Sequence, residues 1–330
     1  MIHVISHGDY DGMACVAELR EHFRGTKVEY TLTSYNDVDA KVQALLARTD
    51  WTELWITDLS CSQEMMEQID HAFHNGRRVI MCDHHKTSAQ YKGMYPWFYH
   101  DGELCGAQVT AAALKAPTHT PFLRAVQAWD IWLLDSEWRR AGEDLNRYVL
   151  FLGAASFLRI CERDRLVGAV NLAPEGFISL WGKVAVETME TLRQKERKTV
   201  KQGCAKCVRM TDPYGNAYAF VVAKHHLGQM GQFLKEQLVK NPVPEAYAHL
   251  AGCQYMMCLN LEYATVSLRS VVEGFDTTDI AKRHGGGGHA DASGFPMKGK
   301  WQMWLADWLW TLERAASHCP GWETYKEYVE

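Results

Sequence analysis

A chain of 330 residues that is 47% hydrophobic and 23% charged carries enough apolar material for two ordinary packed domains, and lacks the bias of a fibrous or disordered protein. Its formal net charge of -5 excludes a general basic surface for long nucleic acid, which needs many phosphate-neutralising Lys and Arg side chains; a small anionic substrate in a local pocket is compatible with it. No basic-then-apolar signal opens the chain and no apolar run reaches the roughly 18 residues that span a bilayer, so a cytoplasmic protein without membrane contact is expected.

In the first third, strand-like runs at Ile2–Ser6, Val28–Thr33, Leu54–Thr57 and Arg78–Cys82 alternate with helix-like runs at Met13–Phe23, Val38–Leu46 and Glu64–Phe73. Such alternation predicts an α/β fold with a parallel sheet covered on both faces, and ligands in such folds gather beyond the carboxyl ends of the strands. From Cys105 to about Lys201 the pattern is mostly helical, with one long stretch from Phe177 to Lys198 that reads as a connector. Strand signals return at Cys207–Met210, Ala217–Ala223, His249–Leu261 and Ala264–Val272, with helices near Met230–Leu238 and Trp301–Ala316. The expected organisation is a parallel-sheet α/β domain over 1–150, a helical connector over 151–202 and a smaller α/β domain over 203–330. Tryptophans 301, 304, 308 and 310 recur at helical spacing and read as core. The ten cysteines suit a reducing compartment; Cys204 and Cys207, with Cys253 and Cys258, imitate a zinc set only loosely, because the second pair has the wrong spacing.

Oxygen and nitrogen donors recur where the first strands end. His7, Asp9 and Asp11 stand at alternate positions of one turn, Asp58 follows the third apolar run, and Asp83-His84-His85 follows the fourth. Alternate residues of an extended segment face one side, so the first three can converge; Gly8 and Gly12 let the backbone bend and a helix begin after Asp11. Carboxylates with added imidazole suit manganese or a comparable divalent cation, whereas a lone Asp at such a place is commonly a helix or strand-end cap.

In this order, these residues resemble the first three motifs of the DHH phosphoesterase superfamily, and Gly285-Gly286-Gly287-Gly288-His289-Ala290-Asp291-Ala292-Ser293-Gly294 resembles the glycine signature of the DHH-associated substrate domain. The resemblance implies two Mn2+ ions, or Mg2+ or another divalent ion in their place. It gives His7 and Asp9 to the first ion, Asp11 and His84 to the second, and Asp58 to both. A fourth acidic ligand is expected on the second ion: Asp130, in Ala128-Trp129-Asp130-Ile131-Trp132, matches better than the competing Asp101 because Gly106-Ala107 and the helix after it resemble the preceding family segment. His85 is expected to face the scissile phosphate, with Asp83 orienting a neighbouring imidazole.

Four successive glycines can bring backbone N–H groups close to an anion, although a glycine run is by default only a turn. With His284, His289, Ser293 and Arg269, residues Gly286, Gly287 and Gly288 read as a clamp for a terminal nucleotide; a surface salt bridge is the plainer reading of Arg269. The pair His225-His226 reads as a satisfied surface pair.

The function implied is a two-metal phosphodiesterase that cuts very short RNA, from dinucleotides to pentanucleotides, to nucleoside 5'-monophosphates. Related substrates are 3'-phosphoadenosine 5'-phosphate and linear or cyclic dinucleotides. The resemblance favours the branch without long amino-terminal regulatory modules, and the glycine run counts against the manganese pyrophosphatase branch. A catalytically inactive nucleotide-binding module is the reading from another class. The substrate is a short RNA or small nucleotide rather than a long duplex, and oligomeric state is not legible.

Overall fold

The computed structural model of the chain describes residues 1–180, 183–223, 226–260 and 264–297. The expected helix at Trp301–Ala316, with its tryptophans, and His225 lie outside the described residues. Two compact units emerge, Met1–Leu192 and Arg193–Glu330, so residues 151–202 span the division.

The first unit opens with β1 (Ile2–His7), α1 (Tyr10–His22), β2 (Val28–Thr33), α2 (Val38–Leu46), β3 (Glu53–Thr57), α3 (Gln63–His74) and β4 (Arg78–Asp83). A short β5 (Phe98–His100), which no clear sequence pattern announces, completes a sheet of order β2-β1-β3-β4-β5. Every pairing in it is parallel. Side chains alternate across the pleat: Ile2 and Val4 of β1 and Trp55 of β3 join one apolar cluster, whereas Ile5, Leu54 and Ile56 join another that also holds Val42 of α2 and Ile69 of α3. Both faces of the sheet are therefore covered, as the alternating pattern requires.

Helices α4 (Gly106–Ala113), α5 (Pro121–Asp130), α6 (Arg139–Leu152), α7 (Ala154–Arg163) and α8 (Pro174–Ser179) pack into the same cluster as α1 through residues such as Phe122, Leu145, Phe157 and Phe177. At the crossing of α5 and α6 a Cβ on Gly142 would stand 2.1 Å from the Ala125 carbonyl oxygen, so glycine sets the approach of the two helices. The stretch expected to run unbroken from Phe177 to Lys198 is instead α8 followed by α9 (Lys183–Ala205); Pro174 starts the former, having no N–H to leave unpaired at the first helical position.

The second unit contains β6 (Val208–Thr211), β7 (Ala217–Val222), α10 (Leu227–Leu238), β8 (Tyr255–Asn260), β9 (Thr265–Ser270), α11 (Thr278–Arg283), β10 (Gly287–Gly288) and β11 (Ala292–Pro296). Its sheet has the order β10-β11-β9-β8-β7-β6, antiparallel except between β7 and β8. The strand expected from His249 starts only at Tyr255, because Glu245–Leu250 is a 3-10 helix and the His249 ring bonds the Cys207 carbonyl instead of joining a ladder. Cys204, Cys207, Cys253 and Cys258 are buried in one apolar cluster, and three of their thiols donate to backbone carbonyls. Among the described residues they form no metal-holding group. No described helix is long and apolar enough to cross a membrane.

One buried charge stands out in the first core. Glu18, in α1, is 6% exposed, and its Oε1 has no hydrogen-bond partner among the described residues. Burial, reinforced by the nearby Glu21 carboxylate, pushes its carboxyl up to about 8 from 4.5. The folded chain keeps a proton that the unfolded chain releases, so this residue lowers stability progressively as pH rises from 4.5 to about 8. Glu18→Gln is expected to stabilise the protein by about 2–3 kcal/mol at pH 8 and by almost nothing at pH 4.5, measured by urea unfolding at both values. An equal effect at the two pH values would show that the carboxyl does not titrate in this window.

Candidate functional site

The carboxyl ends of β1, β3 and β4 lie side by side, and each delivers donors to one place. His7 is the last residue of β1. The turn after it does not stay extended: the helix starts at Tyr10, earlier than expected, because Asp9 rather than Asp11 caps it, accepting from the Gly12 N–H at 3.0 Å. Asp9 remains half exposed beside His7, with Oδ2 2.8 Å from Nδ1. Asp11, now in the first helical turn, is buried and points elsewhere.

Asp58 follows β3 with φ +58, a left-handed conformation that a non-glycine residue seldom adopts. Its N–H donates to the Cys82 carbonyl at 2.8 Å, which ties the strained residue to β4. The strand-end cap reading fails, since neither Asp58 oxygen receives a hydrogen bond from the described residues. They lie instead against two imidazoles: Oδ2 is 3.6 Å from His7 Nδ1, and Oδ1 is 3.2 Å from His84 Nε2.

His84 Nε2 is also 3.6 Å from Asp11 and 3.4 Å from Asp130. The donors therefore form two groups that share one member: His7, Asp9 and Asp58, then Asp11, Asp58 and His84, each with ligand atoms within 4.8 Å of one another. Asp130 reaches His84 from the last turn of α5, whereas Asp101 is engaged with the Glu103 N–H.

Asp83 holds the next segment in place. Its Oδ1 accepts from the N–H groups of His84 and His85 at 2.8 and 3.3 Å and lies 2.7 Å from His85 Nδ1. Burial opposes ionisation, yet the neighbouring imidazoles of His85 and His84 keep this carboxyl well below the usual range.

The electrostatics reflect how closely the cluster crowds like charges. Burial and the Asp58 and Asp130 charges push Asp11 well above the usual carboxylate range; burial, partly offset by His84 and reinforced by Asp58, raises Asp130 to about 6. Against the pull of burial, Asp9 and Asp58 hold His7 well above its ordinary value, as Asp130 and Asp58 do for His84. Divalent cations would neutralise such a crowd of carboxylates. The buried oxygens of Asp58 and Asp130 without hydrogen-bond partners among the described residues, in a carboxylate-rich set completed by imidazole, fit ions of the manganese or magnesium kind.

Three supporting contacts went unread in the sequence, where Gly106-Ala107 counted only as a segment that resembles the family. The first two N–H groups of α4, from Gly106 and Ala107, grip Asp11 at 2.6 and 2.9 Å, and the glycine is required because a Cβ would stand 2.8 Å from Asp58 Oδ1. Small residues opening a helix were the available signal. Arg139 donates to the Ala128 and Trp129 carbonyls at the end of α5 and lies over the Trp129 and Trp132 rings at 4.7 and 4.0 Å, fixing the turn that carries Asp130. The third is Tyr35, on the turn after β2, whose ring stands 5.5 Å from that of His7.

In the second unit the glycine run is a tight corner rather than an open loop. The N–H groups of Gly285 and Gly286 are engaged by carbonyls of α11, and Gly287 and Gly288 pair with Gly294 and Ser293. A Cβ on Gly286 would stand 2.0 Å from the Gly294 oxygen. His284 stacks on Phe295, Ser293 is buried with its hydroxyl donating to Thr277, and the His289 N–H closes the turn onto Ala292. Arg269 Nη1 donates to Ser267 Oγ and the Leu268 carbonyl, so its guanidinium is aimed by neutral acceptors, and the surface salt bridge reading finds no carboxylate there among the described residues. His226, in a left-handed conformation at the start of α10, faces Glu196 at 3.9 Å.

Gly106→Ala is expected to weaken Mn2+ binding at least tenfold in isothermal titration while the far-ultraviolet circular dichroism stays unchanged. Wild-type affinity in this variant would mean that Asp11 and Asp58 do not hold the ion.

No protein-family model matches the chain. Over 315 residues it is 27% identical to oligoribonuclease NrnB of Bacillus subtilis (strain 168), covering 89% of this chain and 72% of that protein. Among solved structures, RecJ of Thermus thermophilus in complex with Mn2+ superposes with a TM-score of 0.51 at 15% identity, over 90% of this chain and 49% of that one. The DHH domain of a member of the s1p family of ribosomal proteins gives a TM-score of 0.52 at 13% identity, over 89% and 82%. The two structures bear on the fold, and the relative on the sequence that fills it. Taken together, the relative and the fold likeness support a member of the DHH phosphoesterase superfamily.

Proposed function

We propose that this protein is a manganese-dependent phosphodiesterase that hydrolyses very short RNA, from dinucleotides to pentanucleotides, to nucleoside 5'-monophosphates. The observation that carries the reading is the pair of donor groups sharing Asp58, the arrangement a two-ion phosphoesterase needs. The likeness to an oligoribonuclease supports the substrate class, and the net charge of -5 agrees with a short ligand. His7 and Asp9 would hold one ion, Asp11, His84 and Asp130 the other, and Asp58 both.

When bound, such a pair supplies the positive charge that phosphoryl transfer develops against and acidifies the attacking water. The chain's own residues do the rest. Asp83 fixes the His85 ring through Nδ1, which leaves Nε2 as the atom able to meet a phosphoryl or leaving oxygen. As water attacks phosphorus, the P–O3' bond breaks, leaving a 5'-phosphate on one product and a 3'-hydroxyl on the other. Within the second unit, Arg269, held by neutral acceptors, suits a phosphate group, and the hairpin from Gly286 through Gly287, Gly288 and His289 to Ser293 shapes the surface beside it. His284 supports that hairpin by its stacking.

Asp58→Ala is expected to lower Mn2+-dependent hydrolysis of a dinucleotide RNA at least a thousandfold, and a chelator should abolish wild-type turnover until Mn2+ is restored. Wild-type rates in Asp58→Ala would remove the bridging role. Initial rates on dinucleotide RNA, a longer RNA, 3'-phosphoadenosine 5'-phosphate and cyclic dinucleotides test the substrate: dinucleotide RNA should lead, a preference for the cyclic compounds overturns the ranking, and binding without turnover of any of them identifies an inactive nucleotide-binding module.

A further inference from the structure

Tyr35 occupies the mouth of the site without belonging to its charge set. It follows β2, whose last residue, Thr33, is in register with His7 at the end of β1. The Tyr35 ring centroid is 5.5 Å from that of His7, tilted by 54°, and 5.6 Å from that of His85, at 90°. The ring thus contacts both an imidazole assigned to an ion and the imidazole assigned to the scissile phosphate. It is nonetheless 45% exposed. A tyrosine that serves packing alone buries its ring. Here a broad apolar surface is left open beside the place where a phosphodiester would sit.

We propose that Tyr35 is a substrate-positioning residue whose ring stacks on the base or ribose adjoining the scissile phosphate. This rests on the phosphodiesterase reading above. A phosphate held against His85 brings its attached nucleoside past the exposed ring, because the two are joined by only a few covalent bonds. Stacking on an aromatic side chain accepts any base, since every base offers a π-face, and that tolerance suits an enzyme which degrades short RNA of any sequence. The two imidazoles fix the ring from the side, so little rotamer freedom is lost on binding.

The full chain with Mn2+ is assayed on a dinucleotide RNA, alongside binding of a 2-aminopurine dinucleotide with a non-hydrolysable methylenephosphonate link, whose emission is quenched by stacking. Tyr35→Ala should raise KM about tenfold with kcat within about twofold and lose the quenching, whereas Tyr35→Phe should match wild type in both. Unchanged KM and quenching in Tyr35→Ala overturn the proposal, as does a fall in kcat alone, which would mark a structural effect through His85. An equal loss in Tyr35→Phe also overturns it, by assigning the contact to the hydroxyl. Failure of the wild type to hydrolyse the dinucleotide while quenching persists would sink the phosphodiesterase reading and leave the stacking contact standing.

Discussion

Three buried or nearly buried carboxylates, Asp11, Asp58 and Asp130, surround one imidazole nitrogen at 3.2–3.6 Å. Like charges so close cannot all ionise in a poorly solvated place without a compensating cation or retained protons. The rest of the first unit is built to force this arrangement. Parallel pairing puts three strand ends in a row, the Cys82 carbonyl holds Asp58 in a left-handed backbone, and the amino terminus of α4 supplies two donors to Asp11. Core packing behind α1 and α4 stabilises the elements that crowd the charges, so fold stability offsets the strain localised at their tips.

The division of labour among strands and helices also explains the sharing of Asp58. β1 and the turn after it present His7 and Asp9 on one side of Asp58, while α1, β4 and α5 present Asp11, His84 and Asp130 on the other. A residue between two such sets needs both carboxylate oxygens available, and the positive φ at Asp58 turns its side chain so that each oxygen meets a different imidazole.

Much of this was legible in the sequence because the informative signals were local. Alternating apolar runs gave four strands and three helices of the parallel sheet, and donors placed just beyond apolar runs gave His7, Asp9, Asp11, Asp58 and His84. What was not legible depends on long-range packing. Packing alone brings Asp130, at the end of α5, beside His84, and the Arg139 contacts with Trp129 and Trp132 join residues with no characteristic spacing. The glycine run was legible only in part for a related reason. Glycine serves both an anion loop and a close approach of backbones, and the approach of Gly286 to Gly294 and Phe295 depends on distant neighbours. The chain from His249 to Cys253 was misread because apolar residues in a 3-10 helix and in a strand look alike over so short a run.

The hold of α4 on Asp11 separates the ligand's geometry from the identity of most side chains around it. Both carboxylate oxygens are aimed by main-chain amides, which every residue except proline provides. Sequence drift along α4 can therefore alter packing and surface while the carboxylate keeps its bearing, provided position 106 stays without a side chain. The centre's tolerance to change is concentrated in one missing methyl group.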